Sequence, residues 1–165
     1  MHKHLTRLDR VWVEPPIYFV TACTEKRRKV LAGGSVVEIL VDEWRAARER
    51  HGWLVGRYVV MPDHVHFFCT PERDAKPLSD FIGAWKRWTS RRINQLVGPG
   101  TASPATMAGR SSSPFWQAEF FDHVIRSDES YDQKWDYVRN NPVRAGLVKA
   151  AEAWRFAGEL TIFRR

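Results

Sequence analysis

The stretch Val59-Val60-Met61-Pro62-Asp63-His64-Val65-His66-Phe67-Phe68-Cys69 constrains the fold of this chain more than any other. Two apolar runs flank a Met-Pro-Asp break, the pattern of two strands joined as a hairpin. In a strand, residues two apart project to the same face, so His64 and His66 stand side by side while Val65 points into a core. Two neutral imidazoles held that way form half of a metal site, or a clamp for an anion. The plain alternative is a strand with two surface histidines.

The rest of the chain supplies partners for that hairpin. Pro15-Pro16 blocks any helix from running into Ile17–Thr24, whose aromatic and β-branched residues predict a first strand. Val37, Leu40, Val41, Trp44 and Ala47 recur at helical spacing between Ser35, a candidate N-cap, and Arg50. Trp53 to Val60 predicts the second strand. Leu78 to Leu96 predicts another helix, with Leu78, Phe81, Ile82, Trp85, Ile93 and Leu96 on its apolar face. Residues 97–114 are Gly, Pro, Ser, Thr and Ala with hardly a core residue, and read as a flexible loop. Phe115 to Ile125 predicts a strand that is irregular at Trp116-Gln117. A helix then runs from a Ser127 cap to Asn140, with Asp128 and Glu129 in its first turn, and Pro142 stops it. The tail from Gly146 to Arg165 reads as a short amphipathic closing segment.

The resulting order, β-α-β-β-α-β-α, predicts an α+β sandwich of the ferredoxin-like kind: a mostly antiparallel sheet with helices on one face. At 165 residues, positions 1–165 read as a single domain.

Charge narrows the partners. Lys and Arg number 26 against 19 Asp and Glu, a formal net charge of +7, so a polyanion such as nucleic acid or an anionic membrane surface fits. Cys23 and Cys69 fall in predicted strands and lack the spacing of a disulfide framework or a zinc site. The charged N-terminus, Met-His-Lys-His-Leu-Thr-Arg-Leu-Asp-Arg, has no apolar core of a signal peptide, and no run reaches the length of a membrane span. The expected location is the cytoplasm, with no membrane partner.

A second motif lies in Lys134-Trp135-Asp136-Tyr137-Val138-Arg139-Asn140-Asn141-Pro142-Val143-Arg144-Ala145-Gly146. Tyr137 and Asn141 are four apart, one turn from each other on one helical face. A phenol is a poor nucleophile at its usual pKa of about 10, but a nearby cation and a good electrophile activate it. Taken alone, Tyr137 also fits a packing tyrosine and Asn141 a C-terminal cap.

Together, "MPDHVHFF" and the downstream "FFDHVIRSDESYDQKWDYVRNNPVRAGLV" resemble the REP-associated tyrosine transposases. These are a branch of the single-tyrosine HUH transposases, named for two histidines around a hydrophobic residue. The resemblance runs from the first strand to about Val148, interrupted by the 97–114 loop. It implies a transposase or recombinase that binds single-stranded DNA folded as palindromic hairpins and cleaves and rejoins it through a 5′-phosphotyrosine. It implies that Tyr137 is the nucleophile, and that His64, His66 and Asn141 bind a divalent metal, Mg²⁺ or Mn²⁺. Insertion-sequence relatives carry glutamine at the position assigned to Asn141. Tyr131, six residues before Tyr137 and on a different helical face, is the rival nucleophile and reads as packing. Asp63 reads as a turn residue or an orienter of His64, and His123 as structural.

A hairpin substrate also asks for a basic surface and stacking groups. Arg27, Arg28, Lys86, Arg87, Arg91, Arg92, Arg139 and Arg144 are the cationic candidates, and Trp88 and Trp116 the aromatic ones. The protein is expected to act as a monomer or a homodimer. Two other activities fit the same motifs: a non-catalytic hairpin-DNA-binding protein, and an HUH nuclease that nicks DNA for replication.

Overall fold

The computed structural model describes residues 15–97, 114–126 and 130–163. Directly after Pro16, β1 (Ile17–Cys23) enters the sheet, and a 3₁₀ turn at Glu25–Arg27 leads to α1 (Gly34–His51). Gly33, not Ser35, is the N-cap of α1, and no side chain caps it. At the other end Gly52 adopts φ 75°, and its N–H reaches the carbonyls of Ala47 and Arg48. Such a left-handed stop favours glycine.

Next come β2 (Trp53–Val60), β3 (His64–Pro71), α2 (Leu78–Val97) and β4 (Phe121–Ile125). The chain continues as α3 (Tyr131–Arg139), the short α4 (Asn141–Arg144) and, after a 3₁₀ turn, β5 (Ala157–Glu159). The strands form one antiparallel sheet in the order β4-β1-β3-β2-β5. Its first four members have the ferredoxin-like order. β5 is an addition that the sequence patterning does not announce, being three residues long on an edge.

The central strand β3 pairs with β1 on one side and β2 on the other. Val65, Phe67 and Cys69 point to the face covered by α1 and α2, in a core with Val20, Leu40, Trp44, Phe81 and Trp85. Trp44 and Trp85 stack at 5.3 Å with 4° between their planes, joining the two helices. The predicted apolar positions of α1 are all buried, whereas Leu96 at the end of α2 is exposed. Both cysteines are free and buried.

Helices do not stay on one face as the sequence suggests. α3 packs on the opposite face, with Tyr131, Trp135 and Val138 turned inward at i, i+4 and i+7. Tyr131 meets Phe68 edge-on at 4.8 Å, and Val138 joins Val59 and Met61. Arg57 of β2 ties the helix down through Asp132 at 2.6 Å while lying 4.7 Å over the Tyr131 ring. The helix begins later than predicted. Ser130 is its cap, accepting from the Gln133 N–H, and Ser127, Asp128 and Glu129 lie outside the described residues.

The predicted strand over Phe115–Ile125 is also shortened. Lys86 Nζ draws the carbonyls of Gln117 and Glu119 inward, at 2.8 and 2.9 Å, instead of leaving them to a neighbouring strand. Most of the predicted 97–114 loop, at 98–113, and the N-terminal residues 1–14 lie outside the described residues, as do the two terminal arginines.

Gly56 sits at the irregularity between Val55 and Tyr58 in the β2–β3 ladder. A Cβ there would stand 2.7 Å from the Phe163 ring and 2.9 Å from the Tyr131 hydroxyl. Gly56→Ala should therefore push α3 off the sheet and destabilise the protein by about 1–3 kcal/mol. Thermal unfolding checks this: an unchanged midpoint would show that the contact is not close.

Candidate active site

The pairing of β1 with β3 aligns Cys23 with His64, Thr21 with His66 and Phe19 with Phe68. Partners directly opposite in an antiparallel pair share a face, so these side chains line the face that carries α3. His64 and His66 stand there with ring centroids 4.7 Å apart.

Each imidazole is held through Nδ1. Asp63 Oδ1 lies 2.7 Å from His64 Nδ1, and Thr21 Oγ1 lies 2.8 Å from His66 Nδ1. A carboxylate only accepts, so His64 Nδ1 carries the proton, and the Arg27 Nη2 at 3.3 Å from it is a neighbour and not its partner. Neither Nε2 has a hydrogen bond among the described residues. His66 also stacks on Phe19 at 5.2 Å. Burial pushes the His66 pKa down to about 3, and the nearby charges of His64, Lys134, Arg27 and Arg144 push the same way. The ring is neutral at ordinary pH, and its Nε2 offers a lone pair in the tautomer whose Nδ1–H donates to Thr21 Oγ1.

Asp63 is itself braced. Burial raises its pKa, but hydrogen bonds from His64 and Arg27 outweigh that and hold it below the usual value. Arg27 Nε donates to Asp63 Oδ2 at 2.9 Å. To deliver that guanidinium, Lys26 and Arg27 adopt φ 56° and 53°, left-handed positions that cost non-glycine residues about 1–3 kcal/mol each. The turn persists because fully buried Thr24 anchors it: its N–H donates to the Asp63 carbonyl at 3.0 Å, and its Oγ1 lies 2.8 Å from the Arg28 carbonyl.

Tyr137 stands on the same side of the sheet, 63% exposed. Lys134, one turn earlier on α3, places Nζ 4.9 Å from the Phe19 ring centroid and 6.0 Å from that of Tyr137, and so spans the space between the stacked His66 and the phenol. Arg144 covers the Tyr137 ring at 4.1 Å. Tyr131, by contrast, is buried, its hydroxyl accepts from the Arg57 N–H, and burial raises its pKa to about 12. The two tyrosines have opposite environments, and only Tyr137 can meet a solvent-borne substrate.

Asn141 is not on the helix of Tyr137. α3 ends at Arg139, Asn140 caps it, and Asn141 opens α4 with Pro142 in the first turn, where a missing N–H costs nothing. Asn141 still faces the site through Arg144, whose Nη2 donates to its Oδ1.

The candidate cations separate into different surroundings. Lys86 is buried against carbonyls, and burial lowers its pKa, so it does not join a phosphate-contacting face. Arg92 pairs with Asp42 and Glu43, and Arg139 with Glu152. Arg28 donates to the Pro114 carbonyl, while Arg87 and Arg91 stay exposed on α2. Arg91 lies 5.4 Å from exposed Trp88. Trp116 is core, its Nε1 donating to Thr89. Of these candidates, Arg27 stands beside His64 and Arg144 over Tyr137. His123 is exposed opposite Phe19 and so borders this face.

The sequence profile of the IS200-like transposases matches residues 15–141, which span both histidines, Tyr137 and Asn141. The chain belongs to the IS200-like transposase family. A REP-associated tyrosine transposase of Escherichia coli (strain K12) is 26% identical over 154 residues, covering 93% of this chain and 82% of the relative. A solved structure of a REP-associated tyrosine transposase bound to a REP hairpin superposes with a TM-score of 0.65 at 21% identity. It covers 95% of this chain and 82% of that one, a likeness of fold. The resemblance read from the two motifs is thereby borne out.

Within this transposase, Phe19, Thr21 and Lys134 line the candidate site, and motif reading passes over them. Lys134 was detectable in principle, three residues before Tyr137 and hence on its helical flank. Phe19 and Thr21 needed the β1–β3 register.

One electrostatic consequence can be measured directly. Because the folded pKa of His66 lies below the ordinary 6.5, the unfolded chain takes up the proton first, and stability is lost as pH falls from about 6.5 toward about 3. NMR of the His66 ring should show no protonation between about pH 8 and about pH 4.5. A midpoint above about pH 5 would mean that the ring is not sequestered.

Proposed function

We propose that this IS200-like transposase binds single-stranded DNA folded as a palindromic hairpin and cleaves and rejoins it through Tyr137. The observation that supports the reading best is the meeting, on one sheet face of one chain, of two Nδ1-anchored histidines and an exposed tyrosine under an arginine. The REP hairpin bound by the structural relative is the guide to substrate class.

His64 and His66 would hold Mg²⁺ or Mn²⁺ through Nε2, with the Asn141 amide oxygen as the third protein ligand. The donor set fits: a few N and O ligands leave positions for phosphate oxygens, and the Asp63 and Thr21 contacts orient the imidazoles outward, as partners of metal-bound histidines do. When bound, the ion supplies charge stabilisation and alignment of the scissile phosphate.

Tyr137 Oη attacks phosphorus, the P–O3′ bond breaks, and the leaving 3′ oxygen takes up a proton while the phenol loses one. The product is a 5′-phosphotyrosine and a free 3′-OH. A second 3′-OH then attacks, the P–O(tyrosine) bond breaks and the phenol is restored. One phosphodiester is exchanged for another, so no nucleotide cofactor is consumed. Arg27, Arg87, Arg91 and Arg144 would contact the DNA backbone, with salt-sensitive affinity. The packing of α3 on the sheet of the same chain supports a monomer that uses its own tyrosine, with a homodimer that exchanges this helix as the alternative. We place this single-domain activity in the cytoplasm; among the described residues no helix is long and apolar enough to cross a membrane.

The test is incubation of a labelled palindromic single strand with Mn²⁺ and each of four proteins. Wild type and Tyr131→Phe should form a DNA adduct that survives denaturation, and Tyr137→Phe none. His64→Ala should lose about 10²–10³-fold in rate, the scale for removing transition-state charge stabilisation. Hairpin binding with no adduct or cleavage across metals would favour a non-catalytic DNA-binding protein. Cleavage that never rejoins strands would favour a nicking nuclease.

A further inference from the structure

Arg144 occupies two groups that the proposed chemistry needs free. Its Nη2 donates to Oδ1 of Asn141, and the same guanidinium lies 4.1 Å from the Tyr137 ring centroid. Arg27, Arg57, Arg92 and Arg139 all have carboxylate partners. Arg144 has none among the described residues, although it is exposed. A guanidinium resting on a neutral amide and an aromatic face is held weakly. A phosphodiester offers it a charged acceptor with bidentate geometry, about twice as strong as a neutral one.

We infer that Arg144 gates assembly of the site: in the DNA-free protein it holds the Asn141 amide oxygen and covers Tyr137, and an incoming phosphodiester takes it over, releasing the third ligand and the nucleophile together. The inference rests on the proposed roles of Tyr137 and Asn141. Its physical basis is competition at one oxygen. A divalent cation at Asn141 Oδ1 would stand beside the guanidinium charge, so the two do not share that atom favourably. Metal affinity and DNA affinity are then coupled, each raising the other.

The test is Mn²⁺ binding to the full chain, followed by electron paramagnetic resonance without DNA and then with a hairpin oligonucleotide. Arg144→Met removes the charge and the donor on an exposed residue, and its circular dichroism should match wild type. Without DNA it should bind Mn²⁺ about 2–5-fold more tightly than wild type, the scale of one exposed charge interaction. That gain should vanish in the Asn141→Ala background. Adding the oligonucleotide should tighten Mn²⁺ binding to wild type by a larger factor than to Arg144→Met, in which the phosphate oxygens add ligands but no guanidinium is displaced from Asn141. An Arg144→Met affinity equal to wild type, or the same gain with Asn141→Ala, would overturn the gate. His64→Ala separates the two levels: if it leaves Mn²⁺ binding intact, the metal reading fails and the gate with it. If it abolishes binding while Arg144→Met tightens nothing, the gate alone fails.

Discussion

The register of β3 between its two neighbours governs everything else in this molecule. Thr21 opposite His66 and Val59 opposite His66 fix which side of the sheet the imidazoles occupy. A slip of one residue would send both histidines into the tryptophan-rich core under α1 and α2, and bring Val65 and Phe67 to the surface. Two buried imidazoles without partners there would be costly, and so would two exposed apolar side chains. The stacked Trp44–Trp85 pair and fully buried Phe67 therefore hold the histidine-bearing face in place from behind.

The opposite face has a different logic. Its apolar patch is made of Ile17, Phe68 and Ile125 with Val59 and Met61, and α3 covers it with Tyr131, Trp135 and Val138. Gly56 makes room for the Tyr131 hydroxyl, and Arg57 locks the helix from its side. The beginning of α3 serves packing, and its end presents Tyr137. The histidine strand and the tyrosine helix thus meet because one aromatic seat, Phe68, lies two residues beyond His66 on the same strand face.

Much of this was legible in the sequence. The hairpin of β2 and β3 and the apolar positions of α1 follow from period and spacing, and the choice of Tyr137 over Tyr131 from the family resemblance. Other features depend on contacts between distant segments. Lys86 looks like a surface cation beside Arg87, yet the carbonyls of residues 117–119 take it inward. Asn141 looks like a continuation of the Tyr137 helix, but Asn140 ends that helix and Pro142 starts another. The side on which α3 packs is not encoded in its own periodicity, which shows only that one stripe is apolar. Arg27 owes its place to a left-handed turn that no residue preference suggests, held by Thr24 from below.

The central claim is that α3 presents Tyr137, and not Tyr131, to the DNA bound at the histidines. Peptide mapping of the protein after reaction with a palindromic single strand and Mn²⁺, with the DNA trimmed by nuclease, tests it most directly. Trypsin isolates Tyr137 in the peptide Trp135–Arg139 and Tyr131 in the one ending at Lys134. The account predicts nucleotide mass on the Trp135–Arg139 peptide alone. Nucleotide on the Tyr131 peptide, or on neither, would contradict it.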